Sequence, residues 1–165
     1  MRTKRNSPPE LVQLNTEQTA IFRSLTEGVA YRKIHVDGYI DLTIEFVCNR
    51  TLGKLTAMDY SLCHYSEQNG DLMRDPEMCF LVLTDSEGEW HVYGHYYRND
   101  LAFGYESESI LFEETPKVKR KMQKDQMDFA RIWINNLKEQ GFVKAAKEQP
   151  IDEKLEKEES NEAEG

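Results

Sequence analysis

Tyr39-Ile40-Asp41-Leu42-Thr43-Ile44-Glu45-Phe46-Val47-Cys48 decides the fold. Ile40, Leu42, Ile44 and Phe46 alternate with Asp41, Thr43 and Glu45, the twofold period of a strand with one buried and one wet face. Outward from it, Asp37-Gly38 reads as a hairpin turn back to a strand over Tyr31–Val36, because Asp and Gly tolerate positive φ. Further strands are expected at Leu55–Tyr65, Met78–Thr84, Trp90–Tyr97 and Leu101–Ser107, with Ser86-Glu87-Gly88-Glu89 and Arg98-Asn99-Asp100 turning the chain. Met78–Thr84 is apolar at nearly every position, as in a central strand covered on both faces.

Helical signals flank this run. Asn15 or Thr16 can cap a helix to Glu27, with Ile21, Phe22 and Leu25 inward and Gly28 as its stop. Thr115-Pro116 reads as the cap and first position of a long helix ended by Gly141, with Val118, Met122, Phe129, Ile132, Trp133 and Leu137 in one arc. The expectation is an α+β fold: an antiparallel meander of about six strands, with an N-terminal and a long C-terminal helix packed on it.

Three regions are expected along the 165 residues: a flexible basic arm over 1–14, one α+β domain over 15–144 and a disordered acidic tail over 145–165. Eight acids against three lysines give that tail more than half of the formal net charge of −9. Ile151 and Leu155 are its only apolar anchors, so removing everything after Gln149 should leave thermal stability unchanged. Cys48, Cys63 and Cys79 are odd in number and lack C-x-x-C spacing, which argues against a zinc knuckle or disulfide scaffold and fits a reducing cytoplasm. The basic N-terminus has no apolar run behind it and no stretch approaches membrane-spanning length, so neither export nor a membrane partner is expected.

The run Tyr65-Ser66-Glu67-Gln68-Asn69-Gly70-Asp71-Leu72-Met73-Arg74-Asp75-Pro76-Glu77-Met78, followed by a Trp-bearing strand and Tyr96-Tyr97-Arg98-Asn99-Asp100, resembles an uncharacterised domain family of bacteria and phages. The similarity spans roughly Leu25 to Gly141. It implies a setting on plasmids and conjugative elements and a likeness of fold, and it supplies no catalytic residues.

Three constellations could carry chemistry. Glu67, Asp71, Asp75 and Glu77, with His64 upstream, are oxygen and imidazole donors that could hold a divalent metal; against this, Asp71 and Asp75 serve equally as acceptors in successive turns, the reading favoured here. His91, Tyr93, His95 and Tyr97 are expected on one face of a strand, opposite Trp90, Val92 and Tyr96. At about 3.3 Å per residue the two imidazoles lie roughly 13 Å apart, too far to share a metal, so the stripe would bind a partner or simply pack. Lys117, Lys119, Arg120, Lys121 and Lys124 form the dense basic cluster, a nucleic-acid footprint or a solvated face. No phosphate loop, G-x-S-x-G or H-E-x-x-H motif occurs, and no cofactor is expected. The residues and the resemblance together favour a non-enzymatic cytoplasmic accessory protein of a mobile genetic element that binds a protein or nucleic-acid partner through His91, Tyr93, His95 and Tyr97 or the Asp71 loop. A metal-dependent enzyme and a weak nucleic-acid binder through Lys119, Arg120 and Lys121 are the alternatives, and oligomeric state is left open.

Overall fold

The structure, a computed structural model, describes residues 10–156. Helix α1 (Thr16–Thr26) begins in a reciprocal cap: Gln18 N donates to Asn15 Oδ1 at 2.7 Å, and Asn15 N donates to Gln18 Oε1 at 3.1 Å. The meander follows as β1 (Val29–Ile34), β2 (Leu42–Leu52), β3 (Leu55–Gln68), β4 (Asp71–Thr84), β5 (Trp90–Asn99) and β6 (Tyr105–Glu108). Next come a small hairpin, β7 (Ile110–Leu111) and β8 (Lys117–Val118), then helices α2 (Arg120–Glu139) and α3 (Phe142–Glu148), and strand β9 (Glu153–Lys154). One seven-stranded antiparallel sheet has the order β6-β5-β4-β3-β2-β1-β9. The α+β expectation holds, with β9 added at the edge.

All three helices cover one face. Phe22 and Leu25 of α1, Met127, Trp133, Ile134 and Leu137 of α2, and Phe142 of α3 bury Leu42, Ile44, Tyr60, Leu62, Met78, Phe80, Val82 and Val92. The opposite face holds a smaller apolar cluster, in which Ile110, with Phe112 and Val118 beside it, packs on Leu81, Leu83 and Tyr93. Met78–Thr84 is therefore covered on both sides in its lower half, as its composition implied. The second cluster also explains where α2 starts. Thr115-Pro116 does not open the helix; the chain there belongs to the β7–β8 hairpin, and α2 begins at Arg120 without a side-chain cap. Burial of Ile110 and Phe112 outweighs a local capping preference of about 1 kcal/mol.

The inward arc of α2 also differs from the expected one. Ile132 is exposed and Val118 lies in β8, while Gln123 and Gln126 are buried. Both glutamines serve a bulge in β5, where Cys79 opposes Tyr96 but Phe80 opposes Gly94. Gln123 Nε2 donates to Gly94 O (3.1 Å) and to Val12 O (2.8 Å), and its Oε1 accepts from Val12 N (2.8 Å). Gln126 Nε2 donates to His95 O and Ser107 O, each at 3.2 Å. The carbonyls freed by the bulge are thus satisfied by side chains of the covering helix. Gly94 permits that approach, since a Cβ there would meet Met127 Sδ at 3.0 Å.

Both expected chain ends need correction. Residues 10–14 are not free: Leu14 is buried and its N–H donates to Val92 O, next to the Val12–Gln123 pair. The tail expectation fails over 145–156. Ala145 and Ala146 are buried in α3, and Arg32 Nη2 donates to Ala146 O and Gln149 O, both at 2.9 Å, a cation on the carbonyl end of a helix. Lys33 N donates to Asp152 Oδ2, Leu155 N donates to Gly28 O, and β9 pairs with β1. The high charge density concealed that two half-buried apolar side chains suffice once an edge strand offers its free backbone groups. The remaining parts of the arm and tail, residues 1–9 and 157–165, lie outside the described residues. A chain ending at Gln149 should melt about 4–8 °C below the full chain, from a loss of about 2 kcal/mol for Ile151, Leu155 and the β9 pairing. Equal melting temperatures in a calorimetric scan would show that β9 contributes nothing.

Candidate functional site

The meander places alternate turns at the same end of the sheet. The β1–β2 connection (35–41), the β3–β4 turn (69–70) and the β5–β6 connection (100–104) therefore share one end. The β3–β4 turn is Asn69-Gly70, with φ of 53° and 87°, both positive as a two-residue hairpin turn requires. Residues 65–74 pair only with each other, beyond the last β2 partner at His64 and the first β5 partner at Glu77. They form a two-stranded ribbon that projects from the sheet. Asp100 braces its base: Asp100 N donates to Arg74 O (2.8 Å), Arg74 N to Asp100 Oδ2 (2.9 Å) and Arg98 Nε to Asp100 Oδ1 (2.7 Å). These bonds hold the Asp100 carboxyl below its usual range, the Arg74 amide contributing most.

Of the eight large hydrophobic side chains exposed among the described residues, six sit at this end: Tyr39, Ile40, Leu72, Leu101, Phe103 and Tyr105. Phe103 is fully exposed and holds φ +57°, a left-handed conformation that bulky residues rarely adopt. Its loop is closed by its own bonds, Leu101 N to Asn99 Oδ1 (2.9 Å) and Tyr105 N to Ala102 O (3.1 Å).

The acidic residues singled out in the sequence do not converge. Gln68 pairs with Asp71 and Glu67 with Leu72, so Asp71 opens β4 instead of capping a turn. Asp75 precedes a cis Pro76 at a bulge in the same strand. Glu77 lies on the face away from the helices, where it accepts from Ser61 Oγ (2.5 Å) and pairs with Arg74 (3.0 Å). His64 faces the other way, edge-on to Trp133 and beside Phe142, with Nδ1 donating to Asp41 O (3.1 Å). Among the described residues no three His, Cys, Asp or Glu side chains come close enough to hold a metal ion.

The β5 bulge breaks the expected aromatic stripe. Tyr97 turns to the helix face against Phe129, and Tyr96 takes its place opposite Cys79. Tyr93 is buried, His91 Nε2 donates to Asp85 (3.0 Å), and His95 Nε2 donates to Asp59 Oδ1 (2.9 Å). A bulge residue carries no side-chain signature, so alternation counted across it is off by one beyond His95. In the basic cluster, Lys117, Arg120, Lys121 and Lys124 face Glu113, Glu10, Asp125 and Asp128 at 3.1–4.0 Å, all exposed. Lys119 donates its backbone N–H to Ser109 O. Such pairs are worth little to stability, and they cancel the charge locally.

One arrangement was missed in the sequence. Arg50 Nε donates to Asp59 Oδ2 at 3.0 Å, so both oxygens of the fully buried Asp59 are taken, one by Arg50 and one by His95. Phe112 lies 4.8 Å from the Arg50 guanidinium and edge-on to His95. The three polar residues come from β2, β3 and β5, 9 to 45 positions apart, and no local spacing announces them. Cys79 and Cys63 share this face, and burial pushes the Cys63 thiol up to about 12, keeping it protonated and unreactive.

The family model for a domain of unknown function (DUF6908) matches residues 11–143. The chain belongs to this family. Its match begins at the docked segment before α1 and ends within α3, so it takes in the meander, the projecting ribbon and α2. Neither a curated protein nor a solved structure matches the chain. No helix among the described residues is long and apolar enough to cross a membrane.

Burial lowers the His64 pKa from 6.5, so the unfolded chain binds its proton first as pH falls. Stability tied to His64 is complete above about pH 6.5 and is lost as pH drops below it. His64→Phe should therefore flatten the decline in melting temperature between neutral and mildly acid pH. An identical decline in the variant would show that His64 is not buried neutral.

Proposed function

We propose that this protein is a cytoplasmic, non-enzymatic accessory protein of a mobile genetic element that binds a protein partner through the loop end of its sheet. The observation that carries the reading is the gathering of Tyr39, Ile40, Leu72, Leu101, Phe103 and Tyr105 at one end of the sheet, where all six stay largely exposed although Tyr39 and Tyr105 edge onto Phe142 and Tyr97. Exposed apolar side chains grouped in this way mark interaction sites. Phe103 supports it further: a strained backbone holding a fully exposed ring costs of order 1–3 kcal/mol, which folding does not recover. The brace from Asp100 to the ribbon holds the surface in place before binding, which lowers the ordering cost on association.

Glu67 and Asp71 flank the ribbon turn without an ion pair among the described residues, and Asp37 and Asp41 lie on the β1–β2 connection beside His35. The partner chemistry that fits is an apolar cleft with a basic rim. A polyanion fits poorly at such an end. The setting on a mobile element follows the family resemblance, and the three free cysteines suit a reducing compartment.

Immobilised full-length protein should retain a binding protein from host lysate, and Leu72→Ser with Phe103→Ser should lose it. The Lys119→Ala, Arg120→Ala, Lys121→Ala variant should retain it. Phe103→Gly should weaken capture without lowering the melting temperature, because glycine adopts φ near +57° freely. Equal capture by the Leu72/Phe103 variant would reject the loop end as the interface.

A further inference from the structure

The face of the sheet away from the helices carries a cavity of about 510 Å³ whose floor is the Arg50–Asp59–His95 group. A partner docked on the loop turns would not fill it. Its size is that of a small-molecule site. Val47, Ile110 and Phe112 give it an apolar wall, and Glu77, Tyr96 and Glu108 a polar one.

The floor is costly as mere scaffolding. Asp59 is 1% exposed, and a buried ionic group of this kind contributes no more to stability than well-packed apolar residues would. Polar groups converging on the floor of a cavity with an apolar wall are the arrangement of a small-molecule site. Arg50 commits only Nε to Asp59; Nη1 and Nη2 make no hydrogen bond with the described residues, and the guanidinium is held flat by the Phe112 ring. A planar fork so positioned matches a carboxylate in two parallel bonds.

Charge accounting selects the rest of the ligand. Asp59 is offset by Arg50 and Glu77 by Arg74, with the Ser61 hydroxyl donating to Glu77. Glu108, exposed at the rim, has no partner among the described residues and leaves the cavity one negative charge in surplus. A simple anion would meet that charge as repulsion. A simple cation would leave the Arg50 donors unused.

We propose that this cavity binds a small zwitterion with an apolar side group, of the α-amino acid class. Its carboxylate lies on Nη1 and Nη2 of Arg50, its ammonium group faces Glu108, and its side group rests on Val47, Ile110 and Phe112. Tyr96 is turned aside, because its hydroxyl donates to Glu106.

Isotope-labelled full-length protein should be titrated with L-leucine and, separately, with 4-methylpentanoate, which lacks the ammonium group, and 3-methylbutylamine, which lacks the carboxylate. Leucine should shift the Arg50 Nε–H signal and the Cys79 and Phe112 amides saturably, and each analogue should bind at least about tenfold more weakly, as the loss of one charge-assisted contact implies. Glu108→Gln, on an exposed side chain, should reduce leucine to the affinity of 4-methylpentanoate. Val47→Trp, which fills the cavity from its exposed rim and leaves Arg50, Asp59 and His95 unreplaced, should abolish the response with the melting temperature kept. Absence of a saturable shift, equal binding of 4-methylpentanoate, or a response that survives Val47→Trp would each overturn the assignment.

Discussion

The register of β3 against β4 is the constraint on which the other features rest. Tyr60 opposes Phe80, Leu62 opposes Met78 and Met58 opposes Val82 on the helix side, while Asp59 opposes Leu81 and Ser61 opposes Cys79 on the other. Side chains alternate strictly, so a slip of one residue would carry Met78, Phe80 and Val82 out of the core. At about 1.5–3 kcal/mol for each buried side chain, about 5–9 kcal/mol is at stake before Leu81 and Leu83 recover part of it. That rivals the whole stability of a domain, about 5–15 kcal/mol. The Asn69-Gly70 turn sets this register from the outside and the two apolar clusters set it from within.

From that register the functional surfaces follow. The turn lies several residues beyond the neighbouring strands, so the hairpin that organises the core also projects a ribbon from it. The same register places Asp59 on the face away from the helices, between Arg50 on β2 and His95 at the β5 bulge. That bulge is tolerated because Gln123 and Gln126 meet its carbonyls, and Ser109 N–H donates to His95 O as well. Two polar side chains that a hydrophobic pattern would discard thus fix how α2 lies across β5.

Much of the architecture was legible in the sequence. The period-two alternation from Leu42 to Phe46, the wholly apolar Met78–Thr84 and the helix before Gly28 translate directly into β2, β4 and α1, because each pattern is local, whereas Ile40, which the same alternation put inside, lies exposed on the β1–β2 connection. Features that depend on distant partners were not legible. Thr115-Pro116 looks like a helix start, yet Ile110 and Phe112 find an apolar face some thirty residues back in sequence and draw the chain into a hairpin. The charged stretch after Ala145 looks unfolded, yet Arg32 and the free edge of β1 hold it. The Asp71–Glu77 acids looked like one cluster because they are close in sequence; a strand spreads them over about 20 Å at roughly 3.3 Å per residue, and the bulge at Asp75-Pro76 interrupts the face they would share. Arg50, Asp59 and His95 had no local motif at all.

The register can be measured without reference to any partner or ligand. Interstrand NOEs between directly opposed residues of β3 and β4 in the labelled protein read it residue by residue. The account predicts cross-peaks for Tyr60 with Phe80, Ser61 with Cys79 and Gln68 with Asp71. Cross-peaks showing Tyr60 opposite Cys79 or Leu81 would contradict it, since the core, the ribbon and the Asp59 cavity would then all be built from the wrong faces.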